Sequence, residues 1–265
     1  MKRFTTLGLS ATMAAMLFAG CSNMSSDNRN NQLESVQVTA VDKAPAPQPG
    51  FRFSAAENAD IANKDKLSYR IFYNKPSTGA HAKWFDAVKR GDLPTVQYMV
   101  AHGQNLEAKD TGNLEQTALG WAAFIGYQDI VDYLVAQGAD IHATDKGDVY
   151  NVMKSAALGK NTKVVKKIHD LLKAEGPVDL NDQTVESDGE TLIMVAASNN
   201  RIETVKYLLT QGANPNLVAT TKNKKMGSYN QSAYSYACTR GHVEMQKVLA
   251  ENGAINHRTG KASCE

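Results

Sequence analysis

The residues able to carry reactive chemistry are few and scattered. The histidines stand at His81, His102, His142, His169, His242 and His257, and the cysteines at Cys21, Cys238 and Cys264. A zinc peptidase needs His-Glu-x-x-His on one helix, a serine hydrolase Gly-x-Ser-x-Gly, a nucleotide enzyme a glycine loop ending in Lys-Ser or Lys-Thr, and a dithiol enzyme Cys-x-x-Cys. The chain contains none of these spacings. His169 lies in an amphipathic helical pattern and reads as a packing residue. The expectation is a protein that is not an enzyme and requires neither cofactor nor metal, since activity lives in a site and no site is assembled by these spacings.

One cysteine stands in a different kind of context. Lys2 and Arg3 precede an apolar run from Leu7 to Phe18, too short to cross a bilayer with margin and typical of a secretory signal core. The run ends in Leu17-Phe18-Ala19-Gly20-Cys21-Ser22, which resembles a bacterial lipoprotein signal with its lipobox. The resemblance implies cleavage before Cys21 and acylation of that residue, so that it anchors the protein in a lipid bilayer by more than one chain, as stable anchoring requires. Phe18 departs from the leucine more usual there. Ser22 after the cysteine resembles the pattern sent to the outer membrane, which implies a protein facing the periplasm.

Charge excludes one class of partner. Taking Lys2 and Arg3 off the 29 basic residues leaves 27 against 27 acidic ones, a balance without the electrostatic footprint that nucleic acid demands. With 42% apolar residues the chain can bury a sizeable core. Residues 21–50 cannot contribute to it: Asn28, Asn30, Asn31 and Gln32 give way to Ala44-Pro45-Ala46-Pro47-Gln48-Pro49, a composition that reads as a disordered tether with an r.m.s. span of about 30 Å.

Beyond the tether the chain repeats itself. Three windows fall into register, "TALGWAAFIGYQDIVDYLVAQGAD" from Thr117, "TLIMVAASNNRIETVKYLLTQGAN" from Thr191 and "SAYSYACTRGHVEMQKVLAENGAI" from Ser232. Each carries a Thr or Ser, a small-residue pair five positions on, a second apolar stripe and Gly-Ala, which spells two short helices and a turn. Small pairs such as Ala122-Ala123 and Ala196-Ala197 let first helices approach closely, and Ile130, Val131, Leu134 and Val135 cover the seam from the second helix. Gly138, Gly212 and Gly253 end the second helices, where a left-handed residue is needed. Two lower-fidelity units begin at Phe85 and Asn151, the latter with an extra turn in its second helix. No unit can bury its own apolar face, so the units must stack.

The pattern resembles the ankyrin repeat over about residues 84–256, although none of the windows keeps the Pro or the His of the Thr-Pro-Leu-His-x-Ala motif. The resemblance implies an all-α solenoid of about five helix-turn-helix units with finger loops; residues 51–83 add a possible capping segment for the first unit, and residues 257–265 a polar tail. It also implies a structural role for His242, where the family often has His. Cys238 takes the small inward position of Ala123 and Ala197, so it is expected to be a buried inert thiol and Cys264 an exposed one. Pairing of the two in an oxidising periplasm is the alternative.

Ankyrin arrays bind through their fingers and the open side of the first helices. Carried over by position, that side presents Lys89 and Arg90, Phe124 and Ile125, Leu158 and Gly159, Ser198 and Asn199, Thr239 and Arg240. Phe124, Ile125 and Leu158 would form an apolar contact patch flanked by Arg90 and Arg240, unless residues 51–83 or the fingers fold over them. The stretch from Gly212 to Ser232 is the longest finger and carries Lys222, Lys224, Lys225, Met226 and Tyr229, a cationic tip that is either a binding element or a floppy insertion. The function read from these residues is a monomeric, outer-membrane-anchored periplasmic module that binds a protein partner. It is either an immunity protein neutralising a delivered toxin or, as the alternative, a scaffold or protective partner of an envelope protein.

Overall fold

Three of the five units start where a short polar side chain satisfies a free N–H group of the first helix. The Thr117 hydroxyl accepts from the Gly120 N–H at 3.1 Å, and Asn151 does the same for Lys154 at 3.2 Å. Ser232 and Ser235 exchange such bonds reciprocally. In the computed structural model, which describes residues 43–65, 67–147 and 149–265, these caps open α4 (Ala118–Ile125), α6 (Val152–Leu158) and α10 (Ala233–Thr239). Their counterparts in the first and fourth units are α2 (Ala82–Arg90) and α8 (Leu192–Ser198). The second helices are α3 (Leu93–Ala101), α5 (Gln128–Ala136), α7 (Thr162–Glu175), α9 (Ile202–Thr210) and α11 (Val243–Glu251). Preceding them all is α1 (Ala55–Ile61), followed by a 3-10 turn at Ser68–Arg70.

The helices stack in two rows. Along the inner row α2 packs on α4, α4 on α6, α6 on α8 and α8 on α10; along the outer row α3, α5, α7, α9 and α11 follow in the same order. The small pairs act as read from the sequence: Ala122, Ala123, Ala156, Ala157, Ala196 and Ala197 are all fully buried between first helices. The approach is closest at Gly159, where a Cβ would sit 2.2 Å from the Phe124 carbonyl oxygen, so any side chain there would push α6 off α4. Gly138, Gly212 and Gly253 adopt φ near +88°, +89° and +76° just past the second helices, as the turn requires. The extra turn expected in the Asn151 unit is present, α7 having 14 residues against 9 in α5.

Between units the chain forms tight fingers held by single antiparallel bridges, Asp110 with Gln116, Asp145 with Val149 and Val218 with Ser232. A fourth bridge, Asn256 with Lys261, folds the polar tail of residues 257–265 into a further, shortened finger. It is stapled down by a disulfide between Cys238 and Cys264, so the expectation of two free thiols is corrected. The reason is positional. In the fifth unit the inward cysteine is partly exposed where Ala123 and Ala197 are buried, and the returning chain reaches it.

Residues 51–83 reach beyond the first unit. They touch it at Arg90 and Asp86 and run on along the inner row and back as a strap, the alternative in which they fold over Phe124 and Ile125. The Arg52 N–H donates to the Arg90 carbonyl at 2.9 Å and Phe53 stacks on Tyr127 in the second unit. Asp60 pairs with Lys160 in the third unit, and the Asp60 and Ile61 carbonyls accept from Arg201 in the fourth. The return leg passes Asp145 through Arg70, Trp121 and Phe124 through Phe72, and ends beside Lys89 at Ser77. The signal segment, Cys21 and the tether before residue 43 lie outside the described residues; Gln48 is already fastened, its N–H donating to Asp92 at 3.0 Å. Among the described residues no helix is long and apolar enough to cross a membrane.

Candidate partner interface

The strap decides which side chains of the inner row solvent can reach. In the first two units it closes the surface. Phe124 and Ile125 are 0% and 1% exposed, Leu158 5% and Lys89 1%, so these four are core residues and the exposed apolar patch expected at them does not exist. Apolar rings on both sides explain the closure: Phe72 meets Trp121 and Phe124 with ring centroids 6.5 and 6.3 Å apart, and Ile61 and Leu67 are buried in the same cluster. Arg90 is half-buried at the strap's starting edge.

Lys89 is buried because it has a partner the sequence did not advertise. Its ammonium pairs with Asp110 at the base of the first finger, donates to Ser77 Oγ at 2.9 Å and stands 4.7 Å over the Trp121 ring. Trp121 Nε1 donates to the same Asp110 at 3.0 Å. Burial pulls the Lys89 pKa below the usual lysine range, and Asp110 opposes the shift, so the arrangement is a folded-in ion pair and not a contact residue. Arg70 forms a second such pair. It donates to both Asp145 oxygens, at 2.8 and 3.3 Å, and to the Gly147 carbonyl at 2.8 Å, with both side chains fully buried.

Beyond the tip of the strap the inner face is open. Ser198 and Asn199 are partly exposed, and Thr239 and Arg240 exposed. A groove of about 360 Å³ lies there, walled on one side by Leu67 and Tyr69 of the strap and on the other by Met226, Gly227 and Ser228 of the long finger. Tyr69 is 51% exposed, a large ring left at the groove's edge. The floor is polar and engaged. Lys154 and Glu186 pair at 2.6 Å in the interior, the Asp188 carboxylate accepts from the Glu190 N–H at 3.0 Å, and the Tyr236 hydroxyl donates to Glu190. Burial first, then the Glu190 charge, raises the Tyr236 pKa far above the usual phenol range, so it remains a donor at any physiological pH.

The long finger carries its cations on an ordered frame. Lys222, Lys224 and Lys225 are exposed and Tyr229 is half-buried. The Thr221 N–H donates to the Asp188 carbonyl at 3.0 Å, Met226 to Asn223 and Tyr229 to Met226, so the loop is a succession of turns leaning on its neighbour. Of the residues expected at a contact surface, Arg240 lines the open groove; Lys222, Lys224, Lys225 and Tyr229 stand on the finger whose Met226, Gly227 and Ser228 line it, and Lys89, Phe124, Ile125 and Leu158 are core, Leu158 reaching only the groove's inner edge.

Sequence reasoning missed Tyr69, Lys154 and Glu190 as groove residues. The available signal was the cluster Phe51, Phe53, Phe72 and Tyr73 in a segment without repeats, facing the unusually large Trp121 and Phe124. A larger groove of about 510 Å³ beside the last turn of α7, lined by Tyr150, Leu172 and Val178, contains His142 but none of the residues expected at a contact surface. Among the described residues no group of three or more His, Cys, Asp or Glu side chains is placed to hold a metal ion.

The repeat geometry has a counterpart among known families. A model of ankyrin repeats, in three copies, matches residues 74–145 and 152–259. No curated protein matches the chain.

Proposed function

Because the chain belongs to the ankyrin-repeat family, whose members are in general protein–protein interaction modules, we propose that it binds a protein partner through the half of its inner face that the strap leaves open, and that it does so in the periplasm, held to the outer membrane by acylated Cys21. The carrying observation is the division of the inner face. Units one and two have theirs covered by residues 51–83, whereas Tyr69, Ser198, Asn199 and Arg240 border a groove that runs from Lys154 and Leu158 of unit three across units four and five. A concave wall with an exposed aromatic at its edge is the kind of surface on which binding energy concentrates. The Cys238–Cys264 disulfide supports an oxidising compartment, where such bonds form and persist.

The test is affinity capture from envelope extract with the full chain, beside a variant carrying Tyr69→Ala and Arg240→Glu. A protein held by the parent and released by a variant that still unfolds cooperatively supports the reading and identifies the partner. Capture of a resident envelope protein favours the scaffold form; capture only from extract of competing cells favours the immunity form. Equal retention by both chains removes units four and five as the site. Incorporation of a palmitate analogue into the parent, absent after Cys21→Ser, tests the anchor.

A further inference from the structure

The open groove is bordered by an unusual distribution of charge. From residue 204 to residue 243 the chain contains Lys206, Lys222, Lys224, Lys225 and Arg240 and not one Asp or Glu. Lys206 is engaged with Glu203 on α9. The other four are exposed, three on the finger that forms one wall and Arg240 on the end of α10 beneath it. The carboxylates below them are engaged within the fold, Glu186 with Lys154, Asp188 with a backbone N–H and Glu190 with the Tyr236 hydroxyl. The exposed charges of the finger and of the end of α10 are therefore cationic, beside a groove lined by Leu67, Tyr69, Val195 and Met226 together with the engaged Lys154, Asp188 and Glu190.

The finger is held in place before anything binds. Asn230, at the finger's far end, accepts from Arg258 through its carbonyl at 2.6 Å and faces the His257 ring through Oδ1 at 2.9 Å. His257 and Arg258 belong to the shortened last finger, which the Cys238–Cys264 disulfide and the Asn256 to Ser263 hydrogen bond at 3.1 Å fasten to the last unit. At its other end the finger hangs on Asp188 and, through the Ala219 N–H to Gln231 carbonyl bond at 2.8 Å, on its own base. A loop already ordered loses less conformational freedom when it binds, so its charges act at closer to their full strength.

Resting on the protein-binding reading above, we propose that the groove of units four and five takes an acidic segment of the partner protein, its carboxylates meeting Lys222, Lys224, Lys225 and Arg240 and an apolar side chain lying against Tyr69 and Met226. A flat anionic membrane does not fit the same features, because the apolar wall lies inside a concavity that a bilayer surface cannot enter. Attraction of this kind steers the encounter and weakens with salt.

The test uses the full chain with Cys21→Ser, so that no acyl group contributes. Its binding to a short fluorescein-labelled peptide alternating Asp and Leu is followed by anisotropy, beside the same peptide with Lys for every Asp. The acidic peptide is expected to bind at least about tenfold more tightly, and to lose about tenfold between roughly 50 and 500 mM salt, where the screening length falls to about 4 Å. Lys222→Glu, Lys224→Glu and Lys225→Glu together should abolish the preference, and Arg240→Glu should weaken it. Cys264→Ser should weaken it severalfold by loosening the finger. If the triple reversal fails to fold, the triple Lys→Gln variant replaces it. Equal binding of both peptides overturns the proposal, as does an unchanged triple variant. Sedimentation of the chain with phosphatidylglycerol vesicles in the absence of peptide binding overturns it in favour of a lipid surface. Capture of a partner that is insensitive to the charge reversals would sink the acidic segment and leave the protein-binding reading standing, whereas no capture at all sinks that reading itself.

Discussion

The ring of Phe72 meets the ring of Phe124 edge-on, with centroids 6.3 Å apart and planes at 90°. This contact joins the strap to the inner row and converts what would be a binding surface in the second unit into core. Both rings are essentially fully buried, so truncating Phe72 to Ala should leave a cavity between strap and array and cost about 3–5 kcal/mol of stability, read as a lower urea midpoint. Phe124→Ser should be comparably destabilising. A Phe72→Ala chain as stable as the parent would show that the strap is dispensable and that the face beneath it opens.

Arg70 and Asp145 are fully buried together, but they are not equally dependent on each other. Asp145 also accepts from Gln116 Nε2 at 2.8 Å and from the Gly147 N–H at 2.7 Å, whereas among the described residues Arg70 has the Gly147 carbonyl as its further hydrogen-bond acceptor, with the Tyr69 and Phe124 rings beside it. Removing the carboxylate strands a buried guanidinium; removing the guanidinium leaves a carboxylate that keeps two donors. Asp145→Ala should therefore cost about 3–5 kcal/mol and Arg70→Met distinctly less. Chemical denaturation of the two variants and the double variant measures the asymmetry, and the reverse order would contradict this account.

The array was legible in the sequence because its information is local. Apolar residues at helical spacing, the alanine pairs and the glycines after α5, α9 and α11 recur within each unit, and nothing distant is needed to interpret them. The strap has no period and finds its partners far along the chain: Arg70 reaches Asp145 across 75 residues and Arg201 reaches Ile61 across 140. Lys89 looked like a surface cation for the same reason, since neither Asp110 nor Ser77 is its helical neighbour. At the candidate site, the cations of the long finger were visible as an insertion. The groove that gives them a context needed Tyr69, which only the folded strap brings there.

The Cys238–Cys264 bond closes a loop with a sequence separation of 26, for which the chain-entropy estimate is a stabilisation of roughly 3–4 kcal/mol. It ties residues 257–265 to α10, which packs on α8 and α11. Cys264→Ser should lower the unfolding midpoint by a corresponding amount, and hydrogen exchange should rise first in α10, α11 and the long finger. The oxidised parent should resist thiol alkylation at both positions until a reductant is added. Identical midpoints with and without reductant would mean that the bond adds nothing to the fold.

His169 should give the array a measurable weakness in mild acid. Its ring is buried on α7, with Nδ1 2.8 Å from the Tyr207 hydroxyl on α9 and the two rings edge-on. Burial chiefly, and then the Lys173 charge, hold its pKa below the usual 6.5, while Asp170 pulls the other way. Above that ordinary value the imidazole is neutral in both the folded and unfolded chain and its contribution is fully present. As the pH falls below it, the unfolded chain takes up the proton first, so stability declines until the pH has passed the lowered folded value. His169→Gln keeps a hydrogen-bonding side chain toward Tyr207 and removes the titration. The difference in unfolding free energy between parent and variant should therefore be flat above about pH 7 and should shift against the parent on acidification. A parent that gains stability over the variant as the pH falls would mean that the imidazolium is welcome between α7 and α9, and that the packing described for His169 is wrong.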